Sequence, residues 1–392
     1  MNALFNRRIW EGGSFMSDGN IRILGGSAGM SLAKDVCRIL KIDMSNMSVG
    51  RHNDGEVNVK VNESVRGDDV YIINPTPAPL ENAMEMVLLG RSVRPSAKTV
   101  TLVIPYLGYN RGDQKDGPRT AISAKVMAEF LMLSKADRVV LFDIHSEPTM
   151  EFFDCNRVER LYMSYMLIPY LRNIVDTDTV LASPDSGGMK RTRGYGSRLH
   201  INNYAAFIKN RPSPGQVSDD MIMMGDVKDR KVVFIDDIID TGGTLIKASK
   251  IAKKAGAEEI YVCAAHGVFS GNAIEELKKA PIDKIIVTDS IPRPAGFFSE
   301  DGNVVVVPIA ELIAETIRRI HRDLGLSSLF IEEDHLNEEK LMEMVQQCPF
   351  YVPAERAGDA SFCSAHSNGG THLCWVKNLK DLDRCADHRN SV

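Results

Sequence analysis

From Ile21 onward, short apolar runs alternate with stretches whose apolar residues recur every three or four positions. IRILGG, DVYIINP, TVTLVIP and RVVLFDIH read as strands, with helical spacing over Leu32–Leu40, Glu81–Val93 and Ser123–Leu133 between them. A second series follows: TVLASP, a helix after Gly188, YAAFIK, KVVFIDD with its helix, EIYVCAAH, KIIVTDS and VVVVP. The strand runs are nearly continuous rather than alternating, as expected of strands buried on both faces. Strand–helix alternation of this kind predicts an α/β fold, mainly parallel sheets with helices on both faces. Two similar series predict two tandem domains, 21–160 and 161–319, preceded by a polar extension over 1–20. Ligands of such sheets bind beyond the carboxyl ends of the strands.

The amphipathic segment Ile309–His321 closes the second series, and SSLF at 327–330 reads as a short terminal strand. Residues 320–331 are expected to pack back onto the first half. Over 332–392 the period is lost and aliphatic residues thin out after Gln347, so this appended tail is expected to be disordered.

Of 392 residues, 44 % are hydrophobic and 25 % charged, the balance of a soluble globular protein. A net charge of −5 gives no electrostatic reason to expect nucleic acid as a partner. No apolar run reaches the length of a membrane span. The first residues lack the apolar core of a signal peptide; Arg7 and Arg8 are only a weak transit-like signal, since Glu11 follows. Seven Cys without a framework spacing fit reduced thiols and a cytoplasmic setting. In the tail, Cys363, His366, His372, Cys374, Cys385 and His388 are numerous enough for a zinc site, but their spacings match no structural knuckle, and no metal is expected there.

The most informative stretch is VVFIDDIIDTGGT. Val232–Ile235 reads as a buried strand with Asp236 and Asp237 where it ends; Asp240, Thr241, Gly242, Gly243 and Thr244 then turn into a helix that Gly256 terminates. A Gly-rich turn opening a helix aims backbone N–H groups at one point, with the positive end of the helix dipole behind them, which makes a phosphate seat. Carboxylates beside it accept hydrogen bonds from hydroxyls, so the ligand implied is a sugar phosphate. The loop does not itself choose between a transferase that consumes a phosphoribosyl diphosphate and an enzyme that makes it.

Other segments add to this seat. Asp143 and His145 follow a strand at positions i and i+2, from which both can converge on one cation, although a histidine beside a helix cap is the plainer reading. SPDSGG repeats the strand–Asp–Gly-Gly order with Asp185, a second anion seat. Two anion seats and an oxygen-rich cation site suggest two phosphorylated substrates and Mg²⁺. Lys209 and Arg211 stand at the root of a Pro/Gly-rich loop that could close over a polyphosphate, or they are two solvated surface cations. Arg111, Lys115 and Arg119 crowd one irregular segment, which on charge alone is as well read as a solvated loop; Asp54-Gly55 alone is a hairpin turn.

Taken in order, DGE at 54–56, ESVRG at 63–67, the Arg111–Asp116 pattern, ISAK at 122–125, FDIH at 142–145, FFD at 152–154, SPDSGG at 183–188, GDVKDR at 225–230 and DDIIDTGGT resemble the ribose-phosphate diphosphokinase family over about residues 21–331. The resemblance implies two tandem type I phosphoribosyltransferase-like domains. It implies transfer of the diphosphoryl group of Mg-ATP to ribose 5-phosphate, releasing AMP and feeding nucleotide biosynthesis, in a homo-oligomer that is usually a hexamer. By position, Asp54, Gly55, Glu56, Arg111, Gly112 and Asp116 would hold ATP. Asp236, Asp237, Asp240, Thr241, Gly242, Gly243 and Thr244 would hold ribose 5-phosphate; His145 and Asp185, supported by Asp143, would hold Mg²⁺; Lys209 and Arg211 would be catalytic. The chain departs from the family where His52 replaces an adenine-stacking Phe and Gly112 replaces a Gln. Two other readings compete: a nucleobase phosphoribosyltransferase, which would need one such domain, and a non-catalytic subunit that binds active synthetases.

Overall fold

A computed structural model describes residues 19–115, 117–155, 157–209, 221–294, 296–298 and 303–329, and the backbone of 351–352, 362–367 and 370–375. Ser17–Phe330 forms one compact unit; Met1–Met16 and Ile331–Val392 group as another.

The larger unit holds two twisted sheets. In the first, β1 (Ile21–Gly25), β4 (Asp69–Ile73), β5 (Thr99–Ile104), β6 (Arg138–Phe142) and β7 (Val158–Leu161) lie side by side in that order, all parallel. Their crossovers include α1 (Met30–Leu40), α2 (Glu81–Val93) and α3 (Ser123–Met132). An antiparallel hairpin, β2 (Met47–Arg51) with β3 (Val57–Val61), stands apart from this sheet.

The second sheet contains β8 (Val180–Ser183), β9 (Tyr204–Lys209), β10 (Met221–Met224), β11 (Val232–Ile239), β12 (Ile260–Gly267), β13 (Lys284–Thr288) and β14 (Val304–Val307). Its order is β10-β9-β8-β11-β12-β13-β14, parallel except for the edge strand β10. Helices α4 (Ser164–Arg172), α5 (Met189–Leu199), α6 (Gly243–Lys254), α7 (Ala273–Lys279) and α8 (Ala310–His321) complete it.

The continuous apolar runs are explained by where alternate residues go. In the first sheet Ile72, Leu102, Val139 and Leu141 enter one core with α2 and α3, while Tyr71, Ile73, Val103, Val140 and Phe142 enter another. In the second sheet Val232, Phe234 and Val262 line an outer core, whereas Val233, Ile235 and Cys263 join the same cluster as Tyr71 and Phe142. One central core therefore draws on both sheets. Emptying a fully buried position such as Phe234 would cost about 3–5 kcal/mol.

Two sequence expectations are corrected. β11 does not stop at Ile235: it runs on to Ile239, because β12 is equally long and pairs with it through Ile239↔Gly267, while β8 pairs only as far as Phe234. Asp236 and Asp237 thus sit within the strand's last half. SSLF forms a 3₁₀ turn at Ser327–Leu329 rather than a strand. The reason is packing at i, i+3 spacing: Leu326 and Leu329 both enter the central core, and the Leu329 N–H donates to the Leu326 carbonyl at 2.9 Å. Helix α8 packs on α1, and His321 Nδ1 lies 2.9 Å from Asp69, so the end of the second series does reach the first sheet.

In the tail, the strands Tyr351–Val352, Phe362–Ser367 and Gly370–Trp375 pair antiparallel in that order. The other tail residues, including Cys385 and His388, lie outside the described residues.

Candidate active site

The carboxyl ends of β6, β8 and β11 bring the sequence motifs to one region. The DTGGT turn follows β11, and α6 starts at Gly243. Gly242 has φ +73°, and a Cβ there would approach Leu277 to 2.8 Å, so only glycine fits. At Gly243 the situation is the reverse. A Cβ would meet nothing nearer than Thr241 Oγ1 at 3.9 Å, leaving open space before the first turn of α6, whose N–H groups have no intrahelical acceptors. This is the shape of an anion seat at a helix N-terminus. The helix ends as expected, at Gly256 with φ +95°.

Two contacts join the halves of the unit at this seat. His145 Nδ1 lies 2.6 Å from Asp237 Oδ2, and the Arg111 guanidinium donates to Asp240 Oδ2. Asp240 Oδ1 is buried with no hydrogen-bond partner among the described residues. Arg191, on the first turn of α5, reaches Asp237 at 3.4 Å and Asp236 at 3.8 Å. The adjacent carboxylates are driven in opposite directions. Burial and the charge of Asp237 push Asp236 well up. Burial also disfavours ionised Asp237, but hydrogen bonding to His145 and the charge of Arg191 outweigh it and hold this carboxyl below its usual range. The Asp237 hydrogen bond in turn raises the His145 pKa against its own desolvation. The result is an imidazole oriented through Nδ1, with its pKa raised by the Asp237 hydrogen bond.

Asp143 does not stand beside His145. It lies just past the end of β6 with φ +40°, so the face-sharing rule for strand residues no longer applies. Its Oδ2 accepts the Met163 N–H at 2.5 Å, and its pKa is raised by burial. Its carbonyl lies 3.2 Å from Nε2 of His266, a buried histidine whose Nδ1 lies 2.9 Å from Ser290 Oγ. Asp143 fastens β6 to α4 and to the second sheet. Asp185 is exposed and closes its own turn, accepting the Gly188 N–H at 2.9 Å. No cluster of three or more His, Cys, Asp or Glu side chains suited to a metal occurs among the described residues.

The remaining candidates are more dispersed. Asp54, Gly55 and Glu56 occupy the exposed tip of the β2–β3 hairpin, where Asp54 Oδ1 accepts the Glu56 N–H at 3.0 Å and Gly55 has φ +95°. The hairpin is anchored by Arg51, which binds the buried Glu85 at 2.9 Å, while Glu85 also accepts from Ser27 N at 2.7 Å. Gly112 is backed by Ser123, whose Oγ would lie 2.3 Å from an added Cβ. The backbone of Lys209 ends β9 opposite Met221 of β10. Arg211 and Asp116 lie outside the described residues. Arg191, Tyr106 and His266 were not singled out from sequence. Arg191 follows the SPDSGG motif by three residues, and that proximity was the available signal; Tyr106 and His266 meet edge-to-face at 5.0 Å and offered none.

Comparison with known proteins accords with this arrangement. Residues 21–134 match the model of the N-terminal domain of ribose phosphate pyrophosphokinase, and residues 208–331 match the phosphoribosyl synthetase-associated domain. Ribose-phosphate pyrophosphokinase of Aquifex aeolicus is 38 % identical over 79 % of this chain and 99 % of its own length. That of Thermotoga maritima is 38 % identical over 79 % of the chain and 98 % of its own. The crystal structure of phosphoribosylpyrophosphate synthetase from Mycobacterium smegmatis superposes with a TM-score of 0.72, at 31 % identity, over 78 % of this chain and 99 % of that one. The chain therefore belongs to the ribose-phosphate pyrophosphokinase family of enzymes.

Proposed function

We propose that the chain makes 5-phosphoribosyl 1-diphosphate by moving the diphosphoryl group of Mg-ATP to the anomeric hydroxyl of ribose 5-phosphate. The hydroxyl oxygen attacks the β-phosphorus, the bond from that phosphorus to the α–β bridging oxygen breaks, and AMP leaves. The observation that carries this reading is the meeting of Arg111 and His145, from the first half, with Asp240 and Asp237, beside the sugar-phosphate seat. Groups meant for two substrates converge where one must be transferred to the other, and in phosphoryl transfer positioning and charge neutralisation supply most of the rate.

In this reading Thr241, Gly242, Gly243 and Thr244 hold the 5-phosphate, and Asp236 and Asp240 accept from the ribose hydroxyls. Asp54, Gly55, Glu56, Arg111, Gly112 and Asp116 hold ATP, and Lys209 and Arg211 neutralise the migrating diphosphoryl group. His145 and Asp185 would each offer Mg²⁺ a single ligand, since Mg²⁺ takes few protein ligands and completes its shell with water and phosphate oxygens. When bound, the ion neutralises phosphate charge; Asp237 keeps the His145 ring turned for it. A homo-oligomer and a reducing, cytoplasmic setting complete the proposal, the latter supported by the free thiols Cys37, Cys155 and Cys263. The test is an assay of AMP formation from ATP. AMP that appears only with ribose 5-phosphate and Mg²⁺ supports the proposal; none from the folded protein overturns it in favour of a non-catalytic subunit.

A further inference from the structure

At the opposite end of the first sheet the strands leave a cavity of about 200 Å³, enclosed partly by the end of α8. Its wall is one face of three strands. Asp69 and Tyr71 on β4, Thr99 and Thr101 on β5, and Arg138 on β6 stand in register, Tyr71 opposite Thr101 and Thr101 opposite Arg138. Ile320, His321 and Asp323 close it from α8 and the turn that follows. Counting about 3.3 Å per residue along β6 from Arg138 to Phe142, the cavity lies about 13 Å from the carboxyl ends that form the candidate active site.

Several lining groups are paired. Asp69 accepts from Thr99 Oγ1 at 2.7 Å and meets His321 at 2.9 Å; Arg138 donates to Glu159 at 2.6 Å; Asp137 pairs with Arg94 and accepts from Val100 N at 2.8 Å. Five groups that matter for a ligand are not. Tyr71 and Thr101 line the cavity, and neither hydroxyl has a hydrogen-bond partner among the described residues. At the mouth, the Lys98 and Arg157 side chains form no ion pair among the described residues; of the lining carboxylates Asp69, Asp137 and Asp323, Asp323 likewise has none.

We infer that this cavity is a binding site for a compact hydroxylated anion, its acid group a carboxylate or a phosphate monoester. The acid group meets Lys98 and Arg157, in charge-assisted hydrogen bonds that the guanidinium fork suits. The body of the ligand satisfies Tyr71 and Thr101, and a ligand hydroxyl donates to Asp323. An occupant would bridge the first sheet and α8 without competing for the seat at Gly243.

The experiment is calorimetric titration of the full chain, without Mg²⁺, with glycerol 3-phosphate and separately with citrate. Saturable binding of either is expected, and which of the two binds identifies the acid group. Lys98→Ala/Arg157→Ala, both at exposed positions, should weaken it at least about tenfold, the loss of one or more charge-assisted contacts. Thr101→Val should weaken it by a smaller factor. Gly243→Val, which fills the catalytic seat, should leave it unchanged. Absence of saturable binding of both probes overturns the inference. So does binding indifferent to the Lys98/Arg157 pair, or binding lost in Gly243→Val.

Discussion

His145 and Asp237 stand 92 residues apart in sequence and 2.6 Å apart in space. The carboxylate turns the ring and holds a proton on it, since the hydrogen bond raises the His145 pKa from its ordinary 6.5. A group that takes Nε2 as an electron-pair donor competes with a proton at that nitrogen and leaves the Nδ1 contact to Asp237 in place.

Asp237→Asn should therefore lower the His145 pKa, followed by NMR titration of its ring protons. In the same variant, the rise of kcat/KM with pH at limiting Mg²⁺ should move to lower pH. The sign for stability follows from both partners. The raised histidine contributes fully below about pH 6.5 and loses this as pH climbs through its folded value; the depressed carboxyl contributes above about pH 4 and loses it as pH falls. The wild-type advantage over Asp237→Asn in urea unfolding should peak between those limits. A His145 titration unmoved by the substitution would count against the pairing.

Arg191 is the cation that lets Asp236 and Asp237 sit side by side in a strand. Arg191→Ala leaves two buried carboxyls without it and should cost about 3 kcal/mol in urea unfolding, the scale for breaking a buried pair. Binding of ribose 5-phosphate, read by calorimetry, should weaken as well. Arg191→Lys keeps the charge but not the fork and should fall between. Equal stability of all three proteins would show that the arginine merely fills space.

Much of this was legible in the sequence, and the exceptions share a cause. Continuous apolar runs announced strands buried on both faces, and the turn at Asp240–Thr244 with its helix was readable from glycine and threonine alone. Periodicity did not reveal that β11 continues to Ile239, because the length of a strand is decided by its neighbour β12. Nor did it reveal that Asp143 turns inward, because a residue past the strand end, at φ +40°, follows its local backbone rather than the pleat. The return of the chain near 320–331 to the first half was expected, but the cavity behind β4 and β5 depends on which side chains meet the end of α8 there, and no local pattern encodes that meeting.

Gly242 and Gly243 are adjacent but should fail differently. Gly242→Ala meets both a positive φ and Leu277, so it should destabilise the fold by about 1–3 kcal/mol. Gly243→Val has room for its side chain, so thermal stability should hold while ribose 5-phosphate binding is lost, because the side chain occupies the seat. The backbone strain belongs to the first glycine and the blocked approach to the second. Calorimetry that finds normal affinity in a folded Gly243→Val protein would remove the seat from the proposal.

His52 lies on the exposed hairpin that carries Asp54 and Glu56. An imidazole offers a smaller stacking face than a phenyl ring, so His52→Phe should raise the preference for ATP over GTP, measured as a ratio of kcat/KM. Gly112→Gln should not do so alone. Its Cβ would enter the space of Ser123 Oγ, which donates to the Tyr109 carbonyl at 3.0 Å, and the loop would shift before the amide reached a base. An unchanged ratio in His52→Phe would exclude this ring from base selection.

Lys209 closes β9, and its Cα partner Met221 opens β10, so the connection over 210–220 leaves and returns at this pair. As the cation proposed to neutralise the migrating diphosphoryl group, Lys209 is expected to meet charge that builds up during transfer more than charge already present on bound substrates. Lys209→Ala should then lower kcat by orders of magnitude while KM for both substrates changes little. Lys209→Arg should restore part of the rate, since a cation on a long stem is retained although its geometry differs. The division between kcat and KM decides the role, because only an interaction formed in the transition state lowers kcat and kcat/KM equally. A Lys209→Ala enzyme with near-normal kcat and a raised KM for ATP would make this lysine a binding residue instead.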